Sequence, residues 1–142
     1  MENPLDLLAE KYEFLLEQLE TNAPLPVFQN ELQRHPTNNG DAHVEVVDGA
    51  LNYVVTERGC ELHRRIARNE DELLYWLMDD VTSSIAWRLR RSLLSMLRRQ
   101  DPRQQRFERH IKLLTTLRPE WGATKKQHYD ELLKRYPYRT KS

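Results

Sequence analysis

The fold class follows from residues 44–66, which read VEVVDGALNYVVTERGCELHRRI. The first two β-rich runs flank Asp48-Gly49, and an Asp-Gly pair in that position is a strong signal for a hairpin with a two-residue turn. Arg58-Gly59 marks a second turn, and the run after it alternates enough to form a third strand. The stretch therefore predicts three antiparallel strands joined by two tight turns.

This meander is expected over residues 43–67, between an N-terminal acidic helix over 4–21 and a helical part over 69–136. A three-stranded sheet is marginal alone, so one of its faces should pack on helices. We therefore expect an α+β fold, a small three-stranded antiparallel meander packed against about four helices. The 142 residues suit a single domain over 1–142.

Asn3-Pro4 predicts the start of the first helix, because Asn caps helices and Pro suits the first helical position. Apolar residues then recur at helical spacing, at Leu5, Leu8, Tyr12, Leu15, Leu16 and Leu19. Acidic residues recur at the same spacing, at Asp6, Glu10, Glu13, Glu17 and Glu20. This acidic stripe is either a solvated face or a surface that docks on a basic protein.

A short helix is expected over 26–32 and a loop over 36–41. After the meander, Asn69 and Glu72 have the spacing of a capping box at the start of a long helix that should run to about Arg98. Its predicted buried stripe is Leu74, Leu77, Met78, Val81, Ile85, Leu89, Leu93, Met96 and Leu97. Two more helices should follow, with inward residues Phe107, Ile111, Leu114 and Leu117, then Trp121, Tyr129, Leu132 and Leu133.

Net charge is zero but unevenly distributed. Residues 1–87 hold 17 acidic and 6 basic side chains, a net charge of −11, whereas residues 88–142 hold 5 and 16, a net charge of +11. The molecule has either two faces of opposite sign or two halves that attract each other on folding. No apolar run reaches the length of a membrane helix, the N-terminus is not a secretory signal, and Cys60 is the single cysteine. These features favour a cytoplasmic protein without a membrane segment.

The sequence offers no catalytic, cofactor-binding or metal-binding pattern. The five histidines form no metal-ligand pair, and one cysteine excludes paired-cysteine zinc motifs. Four dispersed glycines cannot build a phosphate-binding loop. Cys60 follows a turn rather than opening a helix, which favours an incidental cysteine over a nucleophile. We therefore expect no cofactor and no enzyme.

Trp76 and Trp87 share a stripe of the long helix with Asp80, beside the apolar stripe. The tryptophans either pack under a neighbouring element or form a partner-facing patch, since Trp is enriched in interface hot spots. Asp79 and Asp80 are adjacent and point in different directions, so they do not form a ready acid–base pair. An arginine-rich segment over 88–109 suggests the alternative function, a small nucleic-acid-binding regulator. The segment has no recognised nucleic-acid motif, so solvated arginines or partners for the acidic half are favoured.

Residues 71–82 read DELLYWLMDDVT, with a distinctive aromatic–Trp–acid run. Other notable stretches are LNYVVTERG at 51–59, Glu61-Leu62, Pro119-Glu120-Trp121 and Tyr136-Pro137-Tyr138. These stretches resemble the family numbered 63 among the immunity proteins of bacterial polymorphic toxin systems. Together they spread over residues 44–138, most of the chain, and leave the first helix unmatched.

The resemblance implies a non-enzymatic antitoxin that stays in the cytoplasm and binds a cognate toxin domain, as in contact-dependent inhibition between bacteria. Many such toxins are nucleases with basic grooves, which an acidic helix would suit. The partner-binding residues that we expect are Glu10, Glu13, Glu17, Trp76, Asp79 and Asp80. A scaffold subunit would share these features, and exposed aromatic residues would also allow a homo-oligomer.

Overall fold

The computed structural model describes residues 3–22, 31–88 and 92–139. The elements, in chain order, are α1 (Pro4–Asn22), β1 (Asn39–Val47), β2 (Ala50–Glu57), β3 (Cys60–Ile66), α2 (Glu70–Arg88), α3 (Leu93–Leu97), α4 (Pro102–Leu117) and α5 (Pro119–Arg135). The α+β class and the antiparallel meander are confirmed, and the described residues form five helices where about four were expected. Most of the short helix expected over 26–32 lies outside the described residues.

The chain forms two compact units, and the division falls inside α2, between Met78 and Asp79. The first unit contains α1, the sheet and the first half of α2. The second contains the rest of α2 with α3, α4 and α5.

In the first unit the strands pair in the order β1-β2-β3, with Tyr53 opposite Val44 on one side and Arg65 on the other. Both turns have two successive residues with positive φ, at Asp48 (52°), Gly49 (79°), Arg58 (51°) and Gly59 (81°). That pattern matches the right-handed twist of a tight hairpin, which confirms the predicted turns. The expected loop over 36–41 is partly wrong, because β1 already begins at Asn39, which pairs with Glu57.

The α1 core is as predicted except at Leu5, which is only half-buried. Asn3 accepts a hydrogen bond from the backbone N–H of Leu5, so the first turn is capped. The apolar face of the helix is buried, at Leu8, Tyr12, Leu15, Leu16 and Leu19.

Asn69 caps α2 as predicted, since its side-chain oxygen accepts from the Glu72 backbone N–H at 2.8 Å. The Glu72 carboxylate does not return to Asn69. It accepts from the backbone N–H of Arg68 and from its guanidinium. The Glu72 carboxylate therefore bonds the backbone N–H of the residue before the cap, and it also forms an ion pair with the Arg68 guanidinium.

The long helix does not run to Arg98 as a single element. The described part of α2 ends at Arg88, and α3 is a separate helix whose first turn is capped by the Ser92 side chain. Leu93, Met96 and Leu97 were expected in the core but are 69%, 52% and 72% exposed, while Leu89 lies outside the described residues. Val81, from the same predicted stripe, is only half-buried.

In the second unit α4 and α5 form a close antiparallel pair. Phe107, Leu114, Leu117 and Trp121 are buried as predicted, but Leu132 is exposed, and Ile111, Tyr129 and Leu133 are only half-buried. The sequence prediction also missed two buried residues of α4, His110 and Leu113. Gly122 permits the close approach, because a Cβ built there would lie 2.9 Å from the Thr115 Cα. Within the described residues no helix is both long and apolar enough to cross a membrane.

Candidate partner-binding site

The solvent-facing side of α1 combines acidic and apolar groups. Phe14 is 60% exposed and Leu7 is 44% exposed, and they lie seven residues apart on one line of the helix. The carboxylates at one side of this line are also exposed. We call this surface the α1 outer face, made of Leu7, Glu10, Glu13, Phe14 and Glu17.

The charged residues of α1 differ in whether they form ion pairs. Asp6 pairs with Arg34 at 2.6 Å and Lys11 pairs with Glu70. Within residues 3–22, 31–88 and 92–139, by contrast, no ion pair involves the three glutamates of the face. Like charges three or four residues apart destabilise a helix slightly, so this row carries a small cost without an internal compensation.

Trp76 packs against the sheet. Its ring meets the Tyr53 ring edge-on, with centroids 5.9 Å apart. The Arg65 guanidinium carbon lies 4.7 Å from the centroid of each ring. Trp76 is half-buried, so the packing interpretation accounts for one side of the ring and leaves the rest accessible.

Asp79 belongs to a polar network in the second unit. Its Oδ1 atom lies 2.9 Å from His110 Nε2 and 3.0 Å from Lys125 Nζ. On the other side of the imidazole, His110 Nδ1 lies 2.5 Å from the Tyr129 hydroxyl. His110 Nδ1 and the Tyr129 hydroxyl form a hydrogen bond, whereas His110 Nε2 and Asp79 Oδ1 lie close together without an aligned hydrogen bond. These contacts link Asp79 on α2 to His110 on α4 and to Lys125 on α5, and they link His110 to Tyr129 on α5.

The charge of Asp79 is set by two opposing effects. Burial raises the pKa of its carboxyl group, whereas the contacts with His110 and Lys125 lower it, and the lowering is larger. The carboxylate is thus held ionised by its neighbours. Asp80, the next residue, has an exposed side chain.

Trp87, the other tryptophan of α2, belongs to an aromatic cluster. Its ring centroid lies 6.0 Å from Phe107 and 6.3 Å from His110, and the Arg106 guanidinium lies over it at 5.7 Å. Phe107 stacks on Tyr129 with centroids 3.8 Å apart. Trp87 is nevertheless 40% exposed, so it packs on one side only.

Part of the arginine-rich segment is committed to internal contacts. Arg103 pairs with the buried Asp101 at 2.9 Å and donates to the backbone carbonyls of Tyr136 and Pro137. Asp101 caps α4 by accepting from the Arg103 backbone N–H, and it also accepts from that of Arg139. These contacts fix residues 136–139 against the start of α4.

The structure groups three of the six expected contact residues, Glu10, Glu13 and Glu17, on one face. Trp76 and Asp79 instead have packing partners of their own, as described above. Sequence reasoning missed Phe14 and Leu7, although a signal was present. Phe14 falls outside the apolar stripe of α1 and between the acidic residues, which is an unusual place for a large apolar side chain.

Within the part of the chain that the structure describes, no three His, Cys, Asp or Glu side chains are grouped to hold a metal ion. Cys60 is exposed beside the second turn of the sheet. The α1 outer face combines exposed carboxylates with the exposed ring of Phe14.

Comparison with known families identifies a relationship. Residues 48–131, more than half of the chain, match the sequence model of a family described as immunity protein 63. Neither the curated proteins nor the solved structures include a significant match. The matched region covers β2, β3, α2, α3, α4 and most of α5, and it includes neither α1 nor β1.

Proposed function

Because this chain belongs to the immunity protein 63 family, we propose that it binds a cognate toxin domain in the cytoplasm and neutralises it by direct contact. In this proposal the protein catalyses nothing and acts by occupying a surface of the toxin. Membership of the family supports the toxin as a partner, whereas the surface that binds it has to be argued from this molecule.

The α1 outer face is the observation that carries the proposal. Phe14 can fill a pocket on the partner, since a few buried aromatic anchors supply most of the binding energy in tight interfaces. Glu10, Glu13 and Glu17 flank it and can steer a basic partner into place. A nuclease toxin with a basic substrate groove fits this chemistry, because carboxylates on a helix can occupy phosphate positions. The face lies outside the matched region, which suits a surface that distinguishes one toxin from another.

A second contact is proposed on α2, at Trp76, Asp79 and Asp80. Asp80 and the free side of the Trp76 ring can reach a partner. Of the three residues, Asp79 is the least available for contact with a partner, because its carboxylate already contacts His110 and Lys125. A toxin that recruited Asp79 would have to compete with both.

The alternative function, a nucleic-acid-binding regulator that uses the 88–109 segment, has less support. Arg103 is engaged by Asp101 and two carbonyls, and Arg106 lies over Trp87. Phosphate recognition along a strand needs arginines that are free to form new contacts. A binding assay at low salt with duplex and single-stranded DNA tests this function, and we expect no binding.

Kinetics of toxin binding test the α1 outer face directly. Phe14→Ala should raise the Kd about 30-fold, the loss expected for a hot spot of about 2 kcal/mol. The triple substitution Glu10→Gln, Glu13→Gln and Glu17→Gln should lower the association rate about tenfold at low salt. That difference should shrink as salt is added, because exposed charges are screened.

The matched control removes two exposed acids from α5 instead, Glu120→Gln with Glu131→Gln. The control should bind the toxin like the wild type. If the α1 variants also bind like the wild type, the toxin contacts another surface and α1 is not the site.

A further inference from the structure

The α3 helix has its apolar side turned outward. Its one buried residue is Ser95, at 4% exposed, whereas its four large apolar side chains are between 52% and 72% exposed. Soluble monomers rarely present so many large apolar groups side by side without a use for them. We call this surface the α3 patch, made of Leu93, Leu94, Met96 and Leu97.

Hydrogen bonds at both ends hold the α3 patch in one conformation. At the start, the Ser92 side chain accepts from the Ser95 backbone N–H at 3.1 Å. At the end, Arg99 has a positive φ of 52°, and its N–H donates to the Met96 carbonyl. The Gln100 N–H then donates to the Ser95 carbonyl, which completes a regular helix end. An ordered patch loses little conformational entropy when it is covered.

The surroundings of the α3 patch are basic. Residues 88–99 read RLRRSLLSMLRR, with five arginines and no acidic residue. Arg98 and Arg99 are exposed, and neither side chain forms an ion pair with another residue that the structure describes. The first acidic residue after them, Asp101, is 5% exposed and is paired with Arg103. The two guanidinium groups beside the patch are therefore available to an anionic partner.

The second unit as a whole has the same sign of charge. It holds 16 basic and 7 acidic side chains, a net charge of +9. Exposed apolar side chains bordered by arginines are the combination that binds the surface of an anionic bilayer, because apolar burial and charge attraction then add. We propose that the α3 patch inserts into the headgroup region of a bilayer that contains anionic phospholipids, with Arg98 and Arg99 on the lipid phosphates.

The shape of the α3 patch favours a bilayer over a protein partner. With about 3.6 residues per turn, the four side chains span roughly 160° of the helix circumference. A protein would need a pocket that encloses this convex surface from both flanks and carries carboxylates at its rim. Lipid chains and headgroups surround an inserted side chain without a matched shape. Membrane binding would add to the proposed function and does not rest on it.

Sedimentation of the full chain with lipid vesicles tests the proposal. The probe is phosphatidylcholine vesicles with about 30% phosphatidylglycerol at low salt, compared with vesicles of phosphatidylcholine alone. The wild type should pellet with the anionic vesicles only, and less of it should pellet as salt is added. Leu93→Ser with Leu97→Ser should lower the lipid partition coefficient about 30-fold, because less apolar surface is inserted. Arg98→Gln with Arg99→Gln should also lower it about 30-fold, because two phosphate contacts are lost.

The matched control is Lys134→Gln with Arg135→Gln, which removes the same charge from exposed positions of α5. The control should bind the anionic vesicles within about threefold of the wild type, because charges distant from the lipid are screened. The substituted side chains are all exposed, so each variant should keep the circular dichroism spectrum of the wild type.

A fluorescent label distinguishes insertion from attraction by charge alone. Cys60 is the single cysteine, so Cys60→Ser with Leu94→Cys provides one labelling position on the α3 patch. The emission of an environment-sensitive dye at this position should shift to shorter wavelength with the anionic vesicles, because the dye enters an apolar medium.

Four results would each overturn the proposal: no pelleting with anionic vesicles, pelleting that survives either α3 double substitution, an equal loss in the control, or an unshifted dye emission. A wild type that self-associates without lipid, and loses this association with the leucine substitutions, would overturn it in favour of a protein partner. Because no toxin is present, failure of membrane binding is distinguishable from failure of the immunity function.

Discussion

Substitution of Asp79 distinguishes a structural role from a binding role, because only a structural role predicts a large loss in the free energy of unfolding. Its carboxylate contacts His110 and Lys125, whose side chain is only 12% exposed. Asp79→Asn keeps the shape but removes the negative charge that Lys125 Nζ contacts at 3.0 Å. We expect the free energy of unfolding to fall by about 1–3 kcal/mol, measured by urea denaturation.

The matched control is Asp80→Asn, one residue along the same helix with an exposed side chain. It should change stability by no more than about 0.5 kcal/mol. Equal stability of the two variants would show that the network around Asp79 contributes nothing to folding, and Asp79 would then be free for a partner.

Asp101 makes the free energy of unfolding depend on pH in the acidic range. Its pKa is held well below the ordinary value, first by the hydrogen bonds from the Arg103 guanidinium and then by the backbone N–H groups of Arg103 and Arg139, against the effect of burial. A carboxyl group whose folded pKa is depressed stabilises the fold above its unfolded pKa of about 3.9, and this contribution is lost as pH falls toward the folded value.

We therefore expect Asp101→Asn to flatten the dependence of unfolding free energy on pH below about 4. The slope of unfolding free energy against pH reports the number of protons taken up on unfolding. That number should fall by up to one, because one titrating group is removed. Glu45, Glu61, Glu72 and Asp79 still contribute to the slope. Urea titrations from neutral pH downward measure this slope. An unchanged slope would mean that Asp101 titrates alike in the folded and unfolded chain.

Gly122 shows how a correct local rule can mislead. Glycine near the start of α5 weakens the helix, so Gly122→Ala would ordinarily stabilise it by up to about 1 kcal/mol. Here the added Cβ would meet the backbone of Thr115 on α4. We expect a loss of about 1–3 kcal/mol instead, as for other overpacked sites. A rise in the melting temperature would contradict the close approach of α4 and α5.

At the scale of elements, the turns and helix starts could be predicted because their signals are local. Asp48 and Gly49 both adopt positive φ, as their turn requires, and the Asn69 side chain caps α2. The break between α2 and α3 could not be predicted from apolar periodicity, because Leu89, Leu93 and Met96 continue the α2 spacing. The competing signal was Ser92, whose side chain caps a new helix. Contacts between distant residues, such as His110 with Tyr129, leave no periodic trace in the sequence.

The α3 helix gives a test of this correction. Leu93→Ser with Leu97→Ser should change the free energy of unfolding by no more than about 0.5 kcal/mol per site, because both side chains are exposed. Leu114→Ala, at a fully buried position of α4, should cost about 2–5 kcal/mol. Urea denaturation compares the two. A large loss for the serine variant would place α3 in the core after all.

For the whole molecule, the uneven distribution of charge along the sequence places acidic and basic side chains on exposed surfaces. The carboxylates of the α1 outer face and the guanidinium groups of Arg98 and Arg99 are all exposed. The sequence could predict that acids line one side of α1, since their spacing is helical. It could not tell a solvated face from a binding face, because that depends on the exposed Phe14 and on a partner outside the chain.

The role that we propose for this chain is to neutralise a toxin by binding it. The most direct measurement is co-expression with the product of the immediately upstream gene, or with its C-terminal domain, followed by growth assays and purification of the complex. We expect growth to be rescued and a stable complex to be recovered, and rescue to weaken with Phe14→Ala. Growth arrest despite abundant folded protein, with no complex recovered, would contradict the account.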